Sequence, residues 1–350
     1  LNKSIILKYP YLYILTWRSI IILDVSDPSN PLYLGGIGAL EHVQSIVVRD
    51  GFIYLCYAGF RTGFDVVDAT DPTKPLYINW GINLRPVPDF AIKDSLLFVA
   101  VQGSGNNKLQ LTSYDISNPY AITELHTDTI ATEADSYGVY PSSITLRDSL
   151  LYIVTVDSGI YAVNVGDPFN PVLVGKVWRE ATVDVPWESE LSTNSGNILA
   201  AATGSGVWFI DCSNPAQLFT SNFFYTGGFT RACTVKDSIL YLTQSYAGIC
   251  IVDATDPSRP VKLAGLELPR RFGPGRGRAS KGVFLQGDLL FDVTTYGIEI
   301  ADVSDKANPT WVGYLPFEGR DDLDLGGAFV IDSTYGYILQ VDSTLVIYDL

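Results

Sequence analysis

The feature that most constrains this chain is that it repeats itself from end to end. The stretch SIILKYPYLYI at 4–14 aligns position by position with SIVVRDGFIYL at 45–55. It returns as AIKDSLLFV at 91–99, TLRDSLLYI at 145–153 and TVKDSILYL at 234–242, with weaker copies near Gly196, Gly287 and Ser333. A second element follows each copy. ILDVSDPSNP at 22–31 recurs as VDATDPTKP at 67–75, VNVGDPFNP at 163–171, VDATDPSRP at 252–260 and ADVSDKANP at 301–309. DISNP at 115–119 and DCSNP at 211–215 read as copies shortened by three residues. The anchors are Asp24, Asp68, Asp115, Asn164, Asp211, Asp253, Asp302 and Asp349, spaced 42 to 49 residues apart. Eight such units fill the 350 residues and leave no room for a second domain.

Each unit reads as four strands. A short apolar strand leads through a two-residue turn, often Asp-Ser or Asp-Gly, into a strand rich in aromatic and β-branched residues. A third strand ends at the anchor, and the Asp-Pro-x-x-Pro turn returns the chain as a fourth. No stretch carries the 3.6-residue period of a long amphipathic helix. Four antiparallel strands per 45-residue unit mark a β-propeller blade. A β-solenoid is the runner-up, but its repeats are shorter and lack hairpins. The eighth unit stops after the anchor Asp349, so the expectation is an all-β, eight-bladed β-propeller whose last blade lacks its outer strand. The alternative, a seven-bladed propeller, leaves three strands unused.

Composition agrees with sheets buried on both faces: 47% of residues are hydrophobic and only 17% charged. Disorder is excluded by that balance. A net charge of −15 argues against nucleic acid and against an anionic membrane surface as partners. No window is apolar enough to span a bilayer. The chain starts at Leu1 and contains no Met, which fits a processed chain or a piece of a longer one. Cys56, Cys212, Cys233 and Cys250 lack CxxC spacing, so zinc is disfavoured. Cys233 and Cys250 fall on strands separated by a third, too far apart for a disulfide. All four read as reduced and mostly buried.

The units resemble the LVIVD-repeat family, in which an apolar strand runs through Val/Ile-Asp into Ser-Asp-Pro-Ser-Asn-Pro. The stretches at 22–31 and 251–260 carry that pattern best. The resemblance implies a β-propeller, commonly in bacterial or archaeal surface and secreted proteins. It implies no established reaction. Asn164 at an anchor, Lys306 in place of Pro and the two shortened turns depart from the pattern.

Extra residues gather in one set of loops, from strand four to the next strand one: roughly 38–42, 81–89, 126–140, 177–190, 226–231, 268–281 and 316–326. Loops carry function on a rigid scaffold, so a site is expected there. His42 and His126 lie in these loops, but no HxxxH pair or nucleophile elbow accompanies them. Arg270, Arg271, Arg276, Arg278 and Lys281 form the one basic cluster, suited to gripping a carboxylate or sulfate, with pairing to acidic residues near 318–324 the plainer reading. Trp178 and Trp187, beside acidic residues, could stack on sugar or anchor a protein; plugging the channel is the structural alternative. The repeated Asp residues read as turn caps rather than a metal array. The acidic run at 322–326 fails the EF-hand pattern, and calcium in another geometry is the only cofactor left in view.

These features point to an extracytoplasmic propeller, secreted, periplasmic or at the cell surface, that binds or scaffolds a surface protein or glycan. The binding candidates are His126, Trp178, Trp187, Arg270, Arg271, Arg276 and Arg278. Two alternatives stand. One is a hydrolase or lyase with a pocket at the channel mouth. The other is a subunit of a surface assembly that pairs a partner strand with the free edge of blade eight.

Overall fold

In a computed structural model, the described residues are 4–16, 19–38, 43–58, 62–82, 85–104, 107–133, 139–155, 159–177, 191–193, 198–203, 206–217, 219–244, 247–269, 280–294, 296–316, 328–332, 334–339 and 344–349. They form eight antiparallel sheets in chain order, seven of four strands and one of three. The fold is thus an eight-bladed β-propeller, and the seven-bladed alternative falls because eight separate ladders are present. Blades 1 to 8 span 4–38, 43–82, 90–132, 141–177, 191–225, 230–266, 280–316 and 328–349. Blade 8 ends at its third strand, Leu345–Asp349. Among the described residues no helix is long and apolar enough to cross a membrane.

Chain contacts resolve two compact units: 1–151 with 164–172 and 327–350, and 152–163 with 173–326. In the first unit, apolar side chains interlock between successive sheets. Leu12 and Ile14 of blade 1 pack with Tyr337 and Leu339 of blade 8. Leu15 and Ile20 pack with Leu55 and Tyr57 of blade 2. Tyr54 and Phe64 pack with Leu97 and Val99 of blade 3. The second unit repeats this between blades 5 and 6 and between blades 6 and 7. Each inner strand therefore buries both faces, which is why its sequence is near-continuously apolar rather than alternating. The four cysteines are free and buried, and Cys233 and Cys250 flank an intervening strand as expected.

The repeated turn is a double side-chain cap. At each of seven anchors the Asp or Asn carbonyl-type oxygen accepts the backbone N–H two residues on, at 2.8–2.9 Å. Three residues later a second Asp or Asn does the same at 3.0–3.2 Å. Asn118 and Asn214 fill that second place. The turns at Asp115 and Asp211 are therefore full length, not shortened by three; Asn presents the same oxygen as Asp, and only the second Pro is missing. Asn164 and the Asp305-Lys306 turn close in the same way. The residue after the anchor then donates its N–H to the blade's own strand 1–2 hairpin at 2.8–2.9 Å, as in Ala69 to Gly51 O and Ile116 to Ser95 O. Gly51 is required there: its φ is +80°, and a Cβ would lie 3.0 Å from Thr70 Cα.

Six blades also share a bulge in the fourth strand, always facing the two residues before the anchor. An extra residue there twists the outer strand away from the ladder.

Candidate functional site

His126 does not lie in a loop. It sits within the fourth strand of blade 3, Thr123–Thr132, half-buried opposite Ser113 at the bulge. The chain at 126–132 continues the ladder, because bonds to the third strand extend to Thr132. Its repeat equivalents explain the place. In blade 1 it is Gly35, where a Cβ would come 2.5 Å from Pro72 O of the next blade. In blade 2 it is Asn79, whose Nδ2 donates to Pro119 O of blade 3. In blade 3, Ser113 Oγ donates to Pro168 O of blade 4. This is a seam position between blades. His42, Trp178, Trp187, Arg270, Arg271, Arg276 and Arg278 lie outside the described residues.

Two of the expected loops are tied down where they are described. In the 81–89 loop, Arg85 donates to Gln102 O at 2.8 Å, and Val87, fully buried, donates its N–H to Tyr57 O at 2.7 Å. Asp89 accepts from Phe90 N and Ile144 N, each at 2.9 Å, so one carboxylate joins blades 3 and 4. Burial raises its pKa against those bonds. In the 226–231 loop, Thr226 and Thr230 share a 2.7 Å hydroxyl bond, and Gln244 Nε2 donates to Thr226 O. Among the described residues no cluster of three or more His, Cys, Asp and Glu is placed to hold a metal ion.

An open site among the described residues lies at the other end of the blades, between blades 1 and 2. It is a cleft of about 320 Å³ lined by Lys8, Tyr11 and Tyr13 of blade 1 and by Val48, Arg49, Asp50, Gly51, Ala69 and Thr70 of blade 2. The floor is apolar, with Val48 and Ala69 buried. Burial, with a smaller contribution from Tyr11, raises the Tyr13 phenol. Arg49 Nε lies 3.2 Å from Asp50 Oδ2, and its Nη1 reaches Asp94 O of blade 3. Sequence reasoning passed over this end because its turns are short and repetitive. The signal was present in the repeat alignment: the positions that fill the next seam hold small residues here.

In the next seam, between blades 2 and 3, a side chain of the protein covers the equivalent surface. Tyr120 packs edge-on against Phe52, with ring centroids 5.9 Å apart, and its hydroxyl donates to Asp68 Oδ2. The equivalents of Tyr120, Phe52 and Asp68 in the first seam are Thr73, Tyr11 and Asp24. Ile116, the equivalent of Ala69, adds further bulk.

A cation at the last position before the hairpin clasps the next blade in three seams. Arg49 donates to Asp94 O, Lys93 to Asp148 O and Lys236 to Gly287 O. Lys8 holds the same repeat place and is exposed, and its side chain makes no hydrogen bond or ion pair among the described residues.

The sequence model of the LVIVD repeat matches residues 3–36 and 42–79, which are blades 1 and 2. No curated protein matches the sequence. In three dimensions the chain is similar to the computationally designed Ika8 protein, with a TM-score of 0.70 at 10% identity over 99% of this chain and 95% of that one. It is similar to Sqt1 of Saccharomyces cerevisiae, with a TM-score of 0.65 at 12% identity, covering 97% and 93% of the two chains. Apo AztD of Citrobacter koseri gives 0.60 at 9% identity, covering 91% and 87%. At these identities the likeness concerns the fold alone.

Proposed function

The chain being an LVIVD-repeat β-propeller, we propose that it works outside the cytoplasm by binding, as a scaffold that recognises a surface protein or glycan. One observation carries this reading. The first residue of the fourth strand is an exposed aliphatic in four blades: Leu32 and Leu76 at 60% and 63% exposure, with Val172 and Val261 beside them in kind. Exposed Tyr33, Trp80 and Phe169 lie near them in sequence. Apolar groups left in water at one repeat position in four blades favour contact with another macromolecule. The repeated polar residues are meanwhile consumed by turn caps and seam clasps, which supports holding rather than turnover. The family resemblance supports the compartment.

The test is binding of the labelled chain to intact surface material and to a glycan panel. Leu32→Ser, Leu76→Ser and Val172→Ser combined should weaken binding at least tenfold. A second variant, deleting residues 270–281, addresses the basic loop. If neither variant changes binding, both placements of the interface are wrong.

A second reading rests on a different observation. The strand Leu345–Asp349 has no described strand on its outer side. As an open edge it offers backbone donors and acceptors to an added strand, and so to a larger assembly. Protection of the Ile347 amide from hydrogen exchange on adding a partner would support it.

A further inference from the structure

We propose that the cleft between blades 1 and 2 is a binding site for a small aromatic anion, with the ring against Tyr11 and the acidic group at Lys8 and Arg49. The argument starts from the repeat. Seams 1/2 and 2/3 are built from equivalent residues, and the second is filled by a phenol of the protein itself. Tyr120 lays its ring on Phe52 and gives its hydroxyl proton to Asp68. In the first seam the receiving surface persists: Tyr11 stands for Phe52, and Asp24 for Asp68. The filling group does not. Thr73 replaces Tyr120 and turns its hydroxyl to Asp71 instead, and Ala69 replaces Ile116. A volume of about 320 Å³ is left, at the lower end of the range that small-molecule sites occupy. A single substituted ring suits it.

The charge comes from the same comparison. Three equivalents of Lys8 spend their cation on a carbonyl of the next blade, whereas Lys8 lines the opening. Arg49 stands beside it, with Asp50 held on its Nε. Among the lining residues Lys8 and Arg49 stand beside Asp50, which Arg49 already holds, on a chain whose net charge is −15. A carboxylate on the ring meets an ammonium and a guanidinium edge, the pairing these groups make best. A neutral ring gains only the apolar contact, and a cationic one is repelled. The site is separate from the exposed aliphatic residues proposed above, so it stands or falls alone.

The test uses the full chain and 4-hydroxyphenylacetate as the probe, titrated by calorimetry and by ligand-observed NMR. The neutral 4-hydroxyphenylacetamide is its matched control. The acid should bind saturably, and the amide at least tenfold more weakly. Lys8→Gln, on an exposed side chain that cannot disturb the core, should weaken the acid at least fivefold and leave the amide unchanged. Ala69→Ile with Thr73→Tyr, which copies seam 2/3, should abolish binding of both while the unfolding transition is retained. Absence of saturable binding overturns the proposal. So does equal affinity for acid and amide, or full binding by the filled variant.

Discussion

Seams 1/2 and 2/3 are made from the same repeat, yet Tyr120 covers one and its equivalent Thr73 leaves a cleft in the other. Both join their blades through continuous apolar clusters. Both have their hairpin and anchor turn latched by one backbone bond, from Ala69 to Gly51 and from Ile116 to Ser95. They differ at Thr73 against Tyr120 and at Ala69 against Ile116, both on the turn that follows the third strand. The scaffold and the site are thus carried by different positions. Apolar ladders and double caps hold the blade, and two residues on a surface turn decide whether the seam has a cavity.

The blades differ inside as well. At the place three residues before the anchor, blade 2 holds Asp65 and blade 3 holds Thr112, both buried. Asp65 accepts from Tyr57 OH at 2.9 Å and from Gly81 N at 2.7 Å. Thr112 shares a hydroxyl bond with Thr127. Asp65→Ala should therefore cost about 3 kcal/mol, because a buried and a half-buried donor lose their carboxylate acceptor. Thr112→Ala should cost about 1 kcal/mol. Urea unfolding of both variants measures the contrast; equal costs would show that the buried carboxylate is not what separates the two blades.

Uncovering seam 2/3 is the next largest effect. Tyr120→Ala should lower stability by less than a core truncation, since the ring is exposed. It should also create a second cleft beside Phe52, visible as new chemical-shift changes at Asp68 and Phe52 on adding the same aromatic acid. The reverse change, Ala69→Ile with Thr73→Tyr, should raise stability by about 0.5 kcal/mol through added burial and a new hydroxyl bond to Asp24. A loss of more than that in thermal unfolding would show that seam 1/2 cannot accept the filling of seam 2/3.

The smallest effect is on pH. At Asp68 burial works to raise the carboxyl, but bonds from Thr70 and Tyr120 outweigh it and hold the pKa below the usual value. Asp24 is lowered by bonds from Ser26. A depressed folded pKa gives stability that is present above the unfolded value, about 4, and is lost as pH falls through the folded one. Asp89 runs the other way. Burial raises it, so its ionised form weighs against the fold at neutral pH, and protonation on acidification relieves that cost. Between pH 6 and 4 stability should hold level or rise slightly, then fall below pH 4. In Tyr120→Phe the low-pH fall should be shallower, because Asp68 loses a donor.

Much of this was legible in the chain. The 45-residue period, the Asp-Ser and Asp-Gly hairpins and the Asp-Pro turns carry the blade, because each is a local bond between residues two to five apart. The four buried thiols follow from the same strand order. The bulge in the fourth strand was not legible, since nothing in the spacing before Gly35 or His126 reports which residue skips the ladder. For that reason His126 read as a loop residue; the turns at Asn118 and Asn214 read as truncated because Asn stands there for Asp and the second Pro is missing.

Sequence alone determined the repeating unit, its number and its turn chemistry, because those depend on neighbours along the chain. Tertiary structure alone decided which side chain of one blade meets which of the next. That pairing joins residues far apart in the chain, 45 positions for Arg49 with Asp94 and 68 for Phe52 with Tyr120. Whether a lysine clasps a carbonyl or lines an open cleft depends on the shape left between two sheets, and only folding brings those sheets together.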